Sequence, residues 1–337
     1  SSLDKTTNET RLEFDLTQKD GESVQASLVQ SQDSPNTPWH IHADWQNVVR
    51  TGVPNIDNIN SPYGSASIRL EEGKAYIEGK ANIKRLSVAP AGDYDIRAKI
   101  EQGERIDLTD FHYQGDVGHL TGTGRIDLAT TNTPLSWQFD LATDGFMPNA
   151  YFDAPDKTPF SMIKGTILAT GRMREDKKNT KTGSAPTTTP QKEPHGTTKQ
   201  THEINIVRSD LTATLTDGNT VNVSGEGRAS VQMVNAEIEH FTADFKGKFA
   251  QSFLPKIGAG DVLLDVHGDL NKININTLDY HTPKGKLSAL GMLTLSEGIG
   301  WEVSARLDEI DTSAVVDNTS LLAVITGDMS STGSYQD

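Results

Sequence analysis

The chain has 337 residues and no cysteine, and 31 Lys and Arg against 46 Asp and Glu leave a formal charge of −15. The lack of cysteine excludes a disulfide framework, a Cys-ligated zinc site and a thiol nucleophile. An acidic balance without a basic stripe argues against nucleic acid, whose phosphates Lys and Arg must neutralise. No apolar run approaches the ~18 residues that cross a bilayer as a helix; the longest candidate is Leu321 to Ile325. The opening Ser1-Ser2-Leu3 carries no signal peptide and reads as an excised or processed segment of a longer protein.

Along the chain, apolar residues recur with a period of two, the pattern of strands with one apolar and one polar face. The first sets are Leu12/Phe14/Leu16, Trp39/Ile41/Ala43/Trp45, Ala66/Ile68/Leu70, Tyr94/Ile96/Ala98/Ile100 and Trp137/Phe139/Leu141. Later sets include Leu211/Ala213/Leu215, Val221/Val223, Phe241/Ala243/Phe245, Val262/Leu264/Val266, Leu287/Ala289, Leu293/Leu295 and Trp301/Val303/Ala305/Leu307. Turn signals such as Asp20-Gly21, Glu72-Gly73, Asp217-Gly218 and Lys284-Gly285 separate them. The reading is an antiparallel meander of about 18–20 strands. The best helix candidate is Asp311 to Asn318, with an irregular crossover as the alternative.

Residues 174–202 break the pattern, with Ala185 as the single aliphatic residue among three prolines and many Thr and Lys. Such a segment buries too little to offset its ordering entropy and is expected to be a disordered insertion. It divides residues 1–173 from 203–337, which are expected to be two parts of one sheet.

The chain also repeats itself. Tyr113, Gly118, Gly124 and Leu128 recur as Tyr280, Gly285, Gly291 and Leu295 at an offset of 167, and the Trp137 strand recurs at Trp301 at 164. Each Trp- or Phe-led strand is expected to lead into an irregular connection, at 46–62, 145–160, 250–260 and 309–320. Each connection then ends at a strand opening on glycine: Gly64, Gly165, Gly260 and Gly327. A one-faced sheet of this length must cover its apolar side by closing into a barrel, folding into a sandwich or curling lengthwise into a trough. The repeats favour the trough. Its lining would then comprise Trp39, Ile41, Ile68, Trp137, Phe139, Ile167, Val223, Leu264, Leu293, Trp301 and Val303. The three tryptophans serve equally as anchors of each unit, and one of the adjacent pair Ile167 and Leu168 must point outward.

Gly118 to Leu128 and Gly285 to Leu295 share the pattern G-x-L-x-x-x-G-x-I/L-x-L, each followed by a W-x-h-x-h strand in which h is apolar. With the exit Leu307-Asp-Glu-Ile-Asp311-Thr-Ser, they resemble the TamB family, the translocation and assembly module of Gram-negative envelopes within the AsmA-like group. The resemblance runs over nearly the whole chain except 174–202. It implies a long periplasmic β-taco with an apolar groove, an inner-membrane anchor and a C-terminal domain meeting an outer-membrane partner of the Omp85 type, TamA. This chain would be a central stretch of that groove. The implied work is non-enzymatic, without cofactor or metal: carrying phospholipid acyl chains between membranes, and assisting nascent outer-membrane proteins such as autotransporters. The rival reading is an extracellular adhesin or passenger-like repeat protein with a packed interior.

Three constellations have plainer explanations. His40, His42 and Asp44 share a strand face and are potential metal ligands, though a solvent-facing strand explains them. Gly122-x-Gly124 and Gly225-x-Gly227 lack the strand–turn–helix context of phosphate loops and fit bends or close backbone approach. Asp107, Asp110, Asp127 and Asp140 lie one to a strand, the distribution of a solvated face rather than of a glycosidase pair.

Overall fold

The computed structural model describes residues 9–17, 21–31, 38–53, 56–86, 90–101, 103–130, 133–151, 160–175, 199–216, 218–234, 237–249, 259–295, 299–311 and 323–335. Among them are nineteen strands and one helix of four residues, α1 (Pro148–Tyr151). No helix among the described residues is long and apolar enough to cross a membrane. The chain divides into two compact units. The first holds residues 1–131, 137–168 and 210–220, and the second 132–136, 169–209 and 221–337.

In the first unit, β1 (Glu9–Thr17), β2 (Ser23–Ser31), β3 (Trp39–Val53), β4 (Ile56–Glu71) and β5 (Lys74–Ile83) pair antiparallel in chain order. The short β6 (Arg85–Leu86) pairs with β4, and β5 pairs directly with β7 (Gly92–Glu101). The meander continues through β8 (Arg105–Gly115), β9 (Gly118–Asp127) and β10 (Leu135–Phe146). β11 (Phe160–Glu175) and β12 (Lys199–Leu215) are divided between the units. The second unit holds β13 (Thr220–Val234), β14 (Glu237–Phe249), β15 (Gly260–Gly268), β16 (Lys272–Thr282), β17 (Gly285–Thr294), β18 (Ile299–Asp311) and β19 (Val324–Tyr335), again paired antiparallel in order.

The all-β antiparallel meander matches the sequence reading, but the curl does not. The sheet is neither closed nor strongly curled, so the β-taco groove is not formed. Among the described registers β1 pairs with β2 alone and β19 with β18 alone. Only six apolar residues of the described chain are buried, and no large side chain is fully buried. Alternation specifies that one face is apolar, but curvature is set by twist, bulges and the residues at bends. Those depend on neighbours distant in sequence, which a period of two does not encode.

Two local expectations also change. The stretch 46–62 is not an irregular connection, because β3 runs to Val53 and β4 starts at Ile56, pairing from Val48↔Ser61 to Val53↔Ile56. Val48, Val49, Thr51, Val53, Ile56 and Ile59 are β-branched, which favours extended backbone over a loop. The ends of the expected insertion are strand, since β11 reaches Glu175 and β12 begins at Lys199. Arg174 Nη1 lies 3.9 Å from Glu203 Oε1 across them. Residues 176–198 lie outside the described residues, as do most of the connections at 250–260 and 309–320 and the helix candidate beyond Asp311, which ends β18.

Candidate functional site

The apolar face of the first unit is assembled by register. Leu12, Leu28, Ile41, Ile68, Ile77, Ala98, Leu108 and Gly124 stand opposite one another in one row across eight strands. The neighbouring row is Phe14, Ala26, Ala43, Ala66, Gly79, Ile96, Phe111 and Gly122. In the second unit Val231, Phe241, Gly268, Ile273, Leu293, Trp301 and Gly333 form one row, and Gly227, Phe245, Leu264, Leu278, Ala289, Ala305 and Met329 another. Each opposed pair of this kind contributes roughly 0.2–1 kcal/mol, so a row holds register by many small increments.

All eleven lining candidates are half-buried, and they fall into two sets, one per unit. Ile41 and Ile68 are direct neighbours, and Trp39 faces Leu70 on the flanking row. The Trp137 and Phe139 rings lie tilted against each other with centroids 5.5 Å apart. Ile167 and Leu168 are both half-buried on β11. In the second unit Leu293 pairs with Trp301, Val303 with Gly291, Leu264 with Phe245 and Val223 with Phe249. Along β3, Trp39, Ile41, Ala43 and Trp45 are half-buried, while His40, His42, Asp44 and Gln46 are exposed. β18 repeats that contrast with Trp301, Val303, Ala305 and Leu307 against Glu302, Ser304, Arg306 and Asp308.

Alternation alone does not reveal that aromatic rings lie over glycines on neighbouring strands. The Trp45 indole occupies the space a side chain on Gly64 would need, and its Nε1 donates to Ser61 Oγ at 2.8 Å. Trp301 covers Gly333 and donates to Ser331 Oγ at 3.0 Å. Phe139 lies over Gly124, and Phe245 over Gly225 and Gly247. An aromatic opposite a strand glycine is the signal that would have found them. Gly122-x-Gly124 and Gly225-x-Gly227 are thus places of close approach.

The opposite face is polar and paired. Asp107 meets Arg125 at 3.0 Å, Asp127 meets Arg105 at 2.8 Å, and Asp110 lies 3.4 Å from Arg97 and 2.9 Å from His112. Asp140 is exposed. His42 has Ser67 Oγ at 2.8 Å from Nδ1 and Asp44 Oδ2 at 2.9 Å from Nε2. No group of three or more metal-ligating side chains occurs among the described residues. The ammonium of Lys99 hydrogen-bonds Glu101 and holds its carboxyl below the usual range, and Lys164, 2.9 Å away, does the same to Asp144. Hydrogen bonding to the Asp93 carboxylate raises the Tyr63 phenol. A shallow concavity of about 550 Å³ is lined by Asn276, Asp279, Ser288, Leu290, Ser304 and Arg306, among others. Asp279 lies 3.7 Å from Lys286, and Arg306 3.5 Å from Asp328.

What the site offers is an extended apolar face backed by a solvated polar one, with no converging catalytic groups among the described residues. Residues 217–337 match the family model described as TamB, N-terminal domain. The chain is therefore an all-β chain with a TamB-like segment over β13–β19. That likeness is narrower than the resemblance in the sequence, which ran through nearly the whole chain. It is also to a domain described as N-terminal, where the resemblance implied a central stretch. No curated protein matches, and no solved structure matches.

Proposed function

We propose that this chain is a non-enzymatic periplasmic portion of an inner-membrane-anchored, envelope-spanning protein, and that its apolar sheet face holds phospholipid acyl chains in transit between the inner and outer membranes. The observation that carries the reading is the set of continuous rows of interchangeable Val, Ile, Leu, Ala and Phe that no helix among the described residues covers. Transit requires weak, uniform contact. Aliphatic rows supply it without specific polar partners, while a charged head group stays in water because burying it unpaired is costly. The TamB-like segment supports the envelope location and an Omp85-type barrel partner such as TamA, contacted through other parts of the parent chain. Assistance to nascent outer-membrane strands is compatible with the same surface, since exposed strands accept an added strand by β-augmentation.

Photo-cross-linking from single sites in cells making the full-length protein tests this. Probes at Val223, Leu264 and Val303 are expected to yield phospholipid adducts, and probes at Asn222, Asp265 and Glu302 are not. Protein adducts alone at the apolar sites would replace the lipid role with the assembly role. No adducts at any apolar site, with good probe incorporation, would overturn both.

A further inference from the structure

Strands β7–β10 and β15–β18 carry the same irregularities at the same places. The β7–β8 register shifts between Arg97 and Ala98, and the β15–β16 register between Asp265 and Val266, 168 residues further on. The β8–β9 register shifts between Leu108 and Phe111, and β16–β17 between Ile275 and Leu278, 167 residues further on. Beyond the bulge comes a shared corner. Gly118 and Gly285 have φ of +110° and +126°, and each abuts a second residue of positive φ, Gly145 at 123° and Glu309 at 53°. The Met147 N–H donates to the Val117 carbonyl at 2.8 Å, and the Asp311 N–H to the Lys284 carbonyl at 2.9 Å. Gly124 and Gly291 both press against the next strand, at Gln138–Phe139 and at Glu302–Val303.

Alternation alone does not require this agreement. A bulge inserts one residue and reverses facing beyond it, so any position preceding a compensating change would satisfy the pattern. In each module both register shifts are one bulge on the middle strand, within 108–111 of β8 and 275–278 of β16; that bulge, a corner and a close-approach glycine at matched places therefore reflect a common template. We infer that β7–β10 and β15–β18 are two copies of one four-strand module, and that the TamB-like character found at 217–337 extends in structure to residues 92–146, which the family model does not reach. The corner recurs a third time without the bulge. Asn47, with φ 51°, stands eight residues after Trp39, as Gly145 does after Trp137 and Glu309 after Trp301. Its Nδ2 donates to the Gly21 carbonyl at 3.3 Å, and Gly21 has φ +78°. The corner is the positioning element of the module: eight residues after its Trp, it pins each Trp-led strand to the start of an earlier hairpin strand. The inference is independent of the acyl-chain reading.

Exchange of segments within the full chain tests it. Gly118–Leu128 and Gly285–Leu295 are both 11 residues long. With the first in place of the second, amide-exchange protection of β16–β18 is expected to stay within ~10-fold of the parent. With His119–Ala129 placed there instead, one residue out of register, protection is expected to fall by more than ~100-fold. Equal loss in both chimeras would overturn the inference. As a second measure, Gly124→Val and Gly291→Val are expected to lower the melting temperature by similar amounts, about 4–10 °C each. An effect confined to one of them would also overturn it.

Discussion

Tyr113 and Tyr280 stand at the same place in the two modules, yet they are used differently. Tyr113 is 4% exposed, and its hydroxyl donates to the Ala91 carbonyl at 2.8 Å while accepting from the Val117 N–H at 3.3 Å. Burial pushes its phenol pKa up. Gly92 and Gly115 leave the space it fills. In the second module Thr282 replaces Gly115, is itself 5% exposed, and its Oγ1 accepts from the Lys284 N–H at 3.1 Å. Tyr280 is released to half-burial, edge-on to Phe249 at 6.1 Å. Val117 and Lys284 are equivalent, so the same turn N–H is satisfied by a phenol in one copy and by a threonine hydroxyl in the other. The backbone demand persists while the side chain that meets it changes, because a buried unpaired N–H costs free energy whichever residue is nearby.

The largest effect expected from breaking this equivalence lies at the corner glycines. A methyl on Gly118 would collide with the Gly145 carbonyl, and one on Gly285 with that of Glu309, each at positive φ. Gly118→Ala and Gly285→Ala should each cost about 2–4 kcal/mol, read as lowered denaturant midpoints with loss of exchange protection confined to the module that carries the change. Next comes the turn N–H. Tyr113→Phe should cost about 1–3 kcal/mol by leaving the Val117 N–H without its acceptor, and Thr282→Val about 1 kcal/mol at the more exposed Lys284. Chemical denaturation of the two variants checks the order. At the positive-φ residues the signs oppose. Glu309→Gly should stabilise by about 0.5–1 kcal/mol, since glycine adopts this backbone without steric cost, whereas Gly145→Ala should destabilise by about 1 kcal/mol. Paired thermal melts would show one rise and one fall.

The smallest effect separates the units by pH. Glu101 and Asp144, both in the first unit, have carboxyls held below their usual values by Lys99 and Lys164. Their contribution is full above the ordinary carboxylate range and is lost as pH falls below it through the depressed folded values. Both groups are exposed and screened by solvent, so the change is small. Exchange protection around β7 and β10 should decline on acidification from neutral pH. Lys164→Met should remove the part around β10 and leave that around β7. An unchanged acid response near β10 in that variant would rule out the Asp144 pair as its source.

Much of this was legible before the fold was known. The alternation in Trp39 to Trp45 and in Trp301 to Leu307 placed the half-buried and exposed sides correctly, and the repeat from Tyr113 to Leu128 at Tyr280 to Leu295 identified strands that the registers align. Less legible were the partners of the aromatics. Nothing local to Trp45 announces Gly64, and nothing near Trp301 announces Gly333, because each contact crosses between strands separated by a turn or a longer connection. The eleven candidate residues lie on half-buried positions in two sets, but a sequence cannot say whether such faces are left open or wrapped.

By itself the sequence determined the strands, their two faces, the hairpin turns and the repeat, since these follow from a side-chain period of two and from residues that permit positive φ. Only the tertiary structure decided that the sheet neither closes nor curls strongly, that 46–53 and 56–62 are strand, and that rings sit over glycines. Curvature and cross-strand packing arise from twist, bulges and contacts between residues far apart in the chain. Such contacts exist only after the strands have found their register.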